Sequence, residues 1–199
     1  MKIMILSDSH SMTKQTLLKL INQHPADYYI HCGDIYMPYS PLEIKNFYNV
    51  RGNNDFADIP KDLTLTIDGL NFFICHGHLF HIDESMYDLE NYAFNHHIDV
   101  VCFGHSHNPT FYKKENTLFI NPGSVTFPRG NYPHPTYCIF DTENHEVQFY
   151  DLKENQPCNP FEIKKKESFF KRFFIMTYKV FNNILGTIQH IKFKNNFIS

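Results

Sequence analysis

Residues 2–10 read KIMILSDSH: the apolar run Lys2–Leu6 breaks at Ser7 into Asp8-Ser9-His10. A short apolar run that ends abruptly in polar residues is the pattern of a buried strand delivering its last residues to a loop. The pattern recurs along the chain. Tyr28–Cys32 runs into Gly33-Asp34, and Tyr48–Val50 leads through Arg51 into Gly52-Asn53-Asn54-Asp55. Leu70–Cys75 runs into His76-Gly77-His78, and Val100–Phe103 into Gly104-His105-Ser106-His107. Each block places oxygen or imidazole ligands beside a glycine or another small residue. Ligands gathered at strand ends are where open α/β sheets build their sites.

Between these strands the spacing is helical. Met12–Ile21 places Leu17, Leu18, Leu20 and Ile21 at helical intervals and stops at His24-Pro25. Pro38 and Pro41 mark a loop, after which Leu42–Phe47 reads as a short helix. Asp68-Gly69 between Leu63–Ile67 and Leu70–Cys75 is a two-residue hairpin signal. Met86–His96 reads as a helix with Leu89, Tyr92 and Ala93 facing inward. After residue 103 the pattern changes: Thr110–Tyr112, Leu118–Ile120, Thr136–Phe140 and Val147–Leu152 are strands without helices between them. Alternation first and hairpins later predict a two-sheet α/β sandwich with helices outside, over residues 1–152. Residues 153–166, with Pro157, Pro160 and a Lys run, read as a polar linker. Residues 167–199 carry Phe170, Phe173, Phe174, Val180, Phe181, Ile184 and Ile188 at 3.6-residue spacing, which predicts a basic, Phe-rich amphipathic helix as a C-terminal tail.

The chain has 199 residues, 42% of them hydrophobic and 20% charged, enough for one folded domain with a two-sided core. Its net charge of −3 is unevenly spread: residues 159–199 hold eight Lys/Arg and two acids, the remainder ten Lys/Arg and nineteen acids. An acidic body is a poor surface for nucleic acid and suits a site that takes up divalent cations. Five cysteines with no CxxC pair, four of them in or beside apolar runs, point to free buried thiols and a reducing, cytoplasmic setting. The N-terminal apolar run is too short for a signal-peptide core, and no stretch approaches the ~18 apolar residues of a membrane span. The tail is expected to pack on its own domain or to join a second copy into a homo-oligomer, ahead of contact with a membrane surface.

The blocks together specify chemistry that none carries alone. A single His is ordinarily a surface or core residue, and Gly33-Asp34 or Asn53-Asn54-Asp55 alone is turn chemistry. As an ordered set they supply ligands for two divalent ions. Asp8 and His10, two residues apart at a strand end, can share one ion. The two oxygens of Asp34 can bridge two ions, Asn53 offers a neutral carbonyl oxygen, and the pair His105 and His107 can split between neighbouring ions. Nitrogen and oxygen ligands without thiolate favour Mn²⁺, Fe²⁺, Zn²⁺ or Co²⁺ over a structural zinc site. Two ions ~3.5–4 Å apart acidify a bridging water and hold a phosphate in line with it.

The ordered pattern D-x-H, G-D, G-N-x-D/E, H, G-H-x-H resembles that of the calcineurin-like metallophosphoesterases, and among them the small YfcE-type phosphodiesterases, across residues 1–152. The resemblance implies a four-layer αββα sandwich with two mixed sheets. It implies one ion on Asp8, His10 and His107, a bridging Asp34, and a second ion on Asn53, His76 and His105. Mn²⁺ is the expected metal, with Ni²⁺, Zn²⁺, Fe²⁺, Co²⁺ and Mg²⁺ as alternatives.

The function these readings predict is a binuclear phosphoesterase, foremost a phosphodiesterase, in which metal-bound hydroxide attacks phosphorus of a small phosphoester. The alternative is a non-catalytic metal-binding scaffold related to the retromer subunit of the same superfamily. One position departs from the family pattern. Larger members carry His after the motif Asn and small ones often Cys, whereas this chain has Asn54, which cannot act as a conventional general acid. Asn54 is therefore expected to hold a phosphate oxygen, and two readings follow: reliance on metal activation alone with good leaving groups such as aryl phosphodiesters, or a proton from water or another group, with His78 the candidate. Asn53, Asn54 and Arg129 are the candidate substrate contacts, Arg129 because guanidinium matches phosphate geometry. Asp55 is expected to orient its own loop or a nearby ligand.

Overall fold

Ile3 and Ile5 of strand β1 (Lys2–Leu6) enter one apolar layer, Met4 and Leu6 another, as the two-residue period of a strand requires. A computed structural model describes residues 1–36 and 44–162 of the chain. Around β1 runs a six-stranded sheet in the order β11-β10-β9-β1-β2-β3, where β2 is Tyr28–His31, β3 Phe47–Asn49, β9 Thr136–Asp141, β10 Glu146–Asp151 and β11 Gln156–Cys158. β1, β2 and β3 are parallel, with Ile3 opposite Tyr28 and Tyr29 opposite Phe47, while β9, β10 and β11 extend the sheet antiparallel.

A second, five-stranded sheet has the order β4-β5-β6-β8-β7, with β4 at Asp62–Ile67, β5 at Leu70–Cys75, β6 at Val100–Cys102, β7 at Thr110–Lys114 and β8 at Thr117–Asn121. It too is mixed: β5, β6 and β8 are parallel, and β4 and β7 pair antiparallel at the edges. The β4–β5 hairpin turns at Asp68 and Gly69, both at positive φ (53° and 80°), as a two-residue type I′ turn demands.

Three apolar layers fix the stacking. Ile3, Ile5, Ile30 and Cys138 of the first sheet meet Phe72, Ile74, Cys102 and Ile120 of the second in the central layer. Helix α1 (Lys14–Gln23), capped by the Thr13 side chain accepting from Thr16 N–H at 3.2 Å, packs Leu17, Leu20 and Ile21 on the outer face of the first sheet. Helix α2 (Tyr87–Asn95) packs Leu89 and Ala93 on the outer face of the second. The order α1, six-stranded sheet, five-stranded sheet, α2 is the αββα sandwich.

Two local expectations are revised. Phe47, read as the end of a short helix, opens β3: pairing with Tyr29 and burial of the Phe47 ring outweigh the weak helical spacing of so short a run. The stretch read as a linker from 153 contributes β11, whose Gln156, Pro157 and Cys158 pair with Asp151, Tyr150 and Phe149. An edge strand tolerates Pro157 because only one of its edges is hydrogen-bonded to a neighbour. The compact unit runs to Glu162. The expected tail helix, 167–199, lies outside the described residues, as do 37–43. Among the described residues no helix is long and apolar enough to cross a membrane.

Candidate metal centre

The blocks all emerge at one end of the two sheets. Asp8 and His10 follow β1, Asp34 follows β2 and Asn53 follows β3, while His76 follows β5 and His105 and His107 follow β6. Five of these seven side chains stand on left-handed backbone: Asp8 (φ 54°), His10 (38°), Asp34 (55°), His105 (67°) and His107 (57°). Residues held there cost about 1–3 kcal/mol each, and such costs collect at functional sites. The loops are held by Asp55, whose Oδ2 accepts the N–H groups of Asp34 and Gly52 at 2.8 Å each and whose Oδ1 accepts that of Tyr36 at 2.7 Å. Gly52 is required by proximity: a Cβ there would collide with the carboxylate and backbone nitrogen of Asp34.

Two groups of side chains converge closely enough to hold a cation: Asp8 with His10 and His107, and Asp8 with Asp34 and His76. His107 Nε2 lies 3.1 Å from Asp8 Oδ1 and 3.1 Å from His10 Nε2. Asp34 Oδ2 lies 3.8 Å from His10 Nε2 and 3.5 Å from His76 Nε2, so one carboxylate oxygen faces both groups. Asn53 Oδ1 joins at 3.1 Å from His76 Nε2. The imidazoles are oriented from behind: His76 Nδ1–H donates to Cys32 O and His107 Nδ1–H to Phe127 O, each at 2.7 Å. Both Nε2 atoms therefore face the centre, where each can serve as a ligand once it gives up any proton. His105 stands apart from these groups. Its ring packs edge-on to that of His76 at 5.1 Å, and its Nε2 pairs with Asp83 Oδ2 at 2.8 Å.

This arrangement fits a cation. Asp8 Oδ1 is buried with no donor in hydrogen-bonding geometry, a costly state for a carboxylate oxygen. Its other oxygen accepts from Ser7 Oγ at 2.6 Å and His105 N–H at 3.1 Å, and its backbone carbonyl from the hydroxyls of Ser124 and Thr126, 2.8 Å each. The protonation equilibria show the same appetite for positive charge. Burial pushes the Asp34 carboxyl up, but the hydrogen bond and charge of His76 and two donors from Asn54 outweigh it and hold the group well below the usual carboxylate range. Burial pulls His76 and His107 down, yet the adjacent carboxylates of Asp34 and Asp8 respectively leave both above the ordinary histidine value. In each case a carboxylate and an imidazole compete for one positive charge that a divalent ion would supply in full.

The remaining predicted residues take different places. Asn54 was expected to face phosphate; its Nδ2–H donates to Asp34 Oδ2 at 2.6 Å and its backbone N–H to Asp34 Oδ1 at 2.9 Å. His78 sits in a single 3₁₀ turn, His78–Phe80, with its ring 5.4 Å from that of His76 and its Nδ1 buried without a hydrogen-bond partner. Burial, and then the neighbouring His76, push His78 down to about 4. Arg129 is exposed on the loop beside the centre, its backbone N–H donating to His107 O at 3.1 Å. Sequence reading missed the aromatic rim. Tyr36, 49% exposed, and Phe127, 53% exposed, each lie with ring centroids 5.4 Å from His10. Tyr36, next to the Gly33-Asp34 block, holds φ 60°, rare for a bulky residue, but nothing in its residue type signals that.

Comparison with known proteins agrees with this geometry. Residues 1–145 match the calcineurin-like phosphoesterase superfamily domain. The probable metallophosphoesterase YsnB of Bacillus subtilis is 35% identical over 161 residues, covering 78% of this chain and 94% of that protein. Phosphodiesterase YfcE of Escherichia coli is 27% identical over 172 residues, covering 72% and 89%. A crystal structure of a predicted phosphoesterase from Streptococcus pneumoniae superposes with a TM-score of 0.72 at 27% identity, over 79% of this chain and 92% of that one. Vacuolar protein sorting 29 of Cryptosporidium parvum, at 18% identity, shares the fold, with a TM-score of 0.65 over 79% and 94% of the two chains. From its strand-end ligands to its sheet order, this chain belongs to the calcineurin-like phosphoesterase superfamily.

Proposed function

We propose that the chain is a phosphodiesterase that works with two divalent cations, Mn²⁺ foremost, on small phosphodiesters with good leaving groups. The observation that carries this reading is Asp34: a single carboxylate oxygen within 3.8 Å of His10 Nε2 and 3.5 Å of His76 Nε2. In this reading Asp8, His10 and His107 hold one cation, Asn53, His76 and His105 the other, and Asp34 serves both. When bound, the pair supplies positive charge that acidifies a water molecule and neutralises phosphoryl oxygens.

The chain's own residues then set the rest. Asn54 keeps Asp34 ionised and oriented through its two hydrogen bonds, and is thus tied to the cation-binding carboxylate. His78 is neutral near pH 7, and Asn54 does not titrate, so neither presents a strong acid to a departing alkoxide. Leaving groups that depart without protonation, such as aryl oxides, are the substrates this site favours. The exposed rings of Tyr36 and Phe127 beside His10 give such an aryl group an apolar surface. The exposed Arg129 lies on the same rim, where phosphate charge is delivered.

The test is direct. Protein stripped with a chelator and titrated with Mn²⁺ is expected to bind two equivalents and to hydrolyse bis-p-nitrophenyl phosphate only as they bind. Asp34→Asn is expected to lose at least one equivalent and nearly all turnover. Absence of turnover with Mn²⁺, Mg²⁺, Zn²⁺, Ni²⁺ and Co²⁺ alike would instead favour a binding scaffold.

A further inference from the structure

His105 is held from the opposite end to its neighbours. His76 and His107 each donate Nδ1–H to a backbone carbonyl and turn Nε2 toward the centre. His105 instead meets the Asp83 carboxylate through Nε2, at 2.8 Å. A neutral imidazole has one N–H and one lone pair, and an ionised carboxylate can only accept. The Nε2 atom of His105 therefore carries a hydrogen, and the nitrogen left to bind a cation is Nδ1.

We infer that Asp83 is a positioning residue for the second cation site. It fixes His105 in its Nε2–H tautomer, so that this histidine offers Nδ1 as ligand where His76 and His107 offer Nε2. The inference rests on the proposed two-cation reading, in which His105 belongs to the second site. Carboxylates behind ligating histidines fix ring orientation and raise basicity at the nitrogen that binds the metal.

The local fold gives Asp83 a definite place from which to act. It follows the 3₁₀ turn at His78–Phe80, bounded by Gly77 (φ 104°) and His81 (φ 51°). The next turn, which carries Asp83, is closed by the N–H groups of Glu84 and Ser85 donating to His81 O at 2.9 and 3.1 Å. Its neighbour Ile82 is buried in the layer under α2, where its Cδ1 packs so closely on Gly77 that a Cβ at that position would stand 2.7 Å away. One residue is thus anchored in the core while the next reaches out to His105. On the other side, the His105 backbone N–H is fixed by Asp8 Oδ2 at 3.1 Å. An exposed carboxylate paired with an imidazole adds little to stability, so orientation is the effect left for Asp83 to exert.

The test uses the full chain labelled with ¹⁵N-histidine, first without metal. Long-range proton–nitrogen correlation spectra are expected to show His105 as the Nε2–H tautomer. In Asp83→Ala that assignment is expected to give way to a mixture, while Asp83→Asn, whose carbonyl still accepts, keeps it. Titration with Mn²⁺ followed by calorimetry is then expected to show second-site affinity about 10–100-fold weaker in Asp83→Ala, with the first site unchanged and Asp83→Asn close to the parent. An unaltered tautomer or an unaltered second affinity in Asp83→Ala overturns the inference. Equal weakening in Asp83→Asn and Asp83→Ala also overturns it, by making Asp83 itself a ligand. A chain that binds no second cation would defeat the two-cation reading, and the metal-free spectra would still decide whether Asp83 sets the tautomer.

Discussion

Asn54 donates twice to Asp34, from its carboxamide to Oδ2 at 2.6 Å and from its backbone to Oδ1 at 2.9 Å. Only the first bond belongs to the side chain. Asn54→Ala therefore leaves one donor in place and is expected to weaken cation binding at Asp34 by about 10–100-fold without abolishing it. Titration of Mn²⁺ into stripped protein measures the shift. Complete loss of turnover at saturating Mn²⁺ would mean that Asn54 acts on the substrate itself.

Gly52 leaves no room for a side chain against Asp34. In Gly52→Ala the backbone and carboxylate of Asp34 must move by the order of an ångström, and a displacement of that size costs about 100-fold in rate. Activity at saturating Mn²⁺ is expected to fall accordingly while the circular dichroism spectrum stays that of the parent. Undiminished activity would show that Asp34 can shift without consequence.

His31 is fully buried, and burial pushes it down to about 4. Its Nδ1 accepts from Gly33 N–H at 3.3 Å while its Nε2–H donates to Ser9 Oγ at 3.0 Å, so the neutral ring is satisfied on both sides. In the unfolded chain histidine takes its proton near pH 6.5. The unfolded state thus binds more protons as pH falls from about 6.5 to about 4, and stability falls with it by about 3 kcal/mol in all. Metal-free His31→Gln is expected to lose less stability over that window in urea titrations than the parent. Parallel pH profiles would remove His31 as the cause.

Phe127 serves the centre with two separable parts. Its carbonyl accepts from His107, and its exposed ring lies beside His10. Phe127→Ala keeps the carbonyl, so metal content and kcat are expected to hold. KM for bis-p-nitrophenyl phosphate is expected to rise about 2–10-fold, the worth of one aromatic contact. A fall in kcat with unchanged KM would point to the loop rather than the ring.

Much of this architecture is legible in the chain because each ligand block ends an apolar run. The alternation of Ile3 and Ile5 against Met4 and Leu6 announces a sheet covered on both faces. Asp68-Gly69 announces its hairpin because I′ geometry admits few other residues. β11 is illegible because an exposed edge strand buries too little to need an apolar pattern, and β3 is legible from Tyr48 but not at its first residue, Phe47, because three residues are too few to show a period. At the site, spacing reveals which side chains can bind a cation but not what stands behind them. Asp83 is 22 residues from His105 in sequence and Phe127 is 20 from His107, and each meets its partner only through the loops. The direction in which Asn54 donates is set by the backbone of its turn, which residue type alone does not encode.

The ligand blocks are divided between the sheets: Asp8, His10, Asp34 and Asn53 hang from the six-stranded one, His76, His105 and His107 from the five-stranded one. Among the described residues the layer between the sheets is an apolar cluster, which is indifferent to direction, with polar links such as His76 to Cys32 and His105 to Asp8 only at the site end. Cations held at this seam act as rivets across it, and unfolding requires that they be released. Saturation at a hundred times the dissociation constant adds about 2.7 kcal/mol to the folded state, so the melting temperature of the chain is a gauge of its metal loading before any substrate is added.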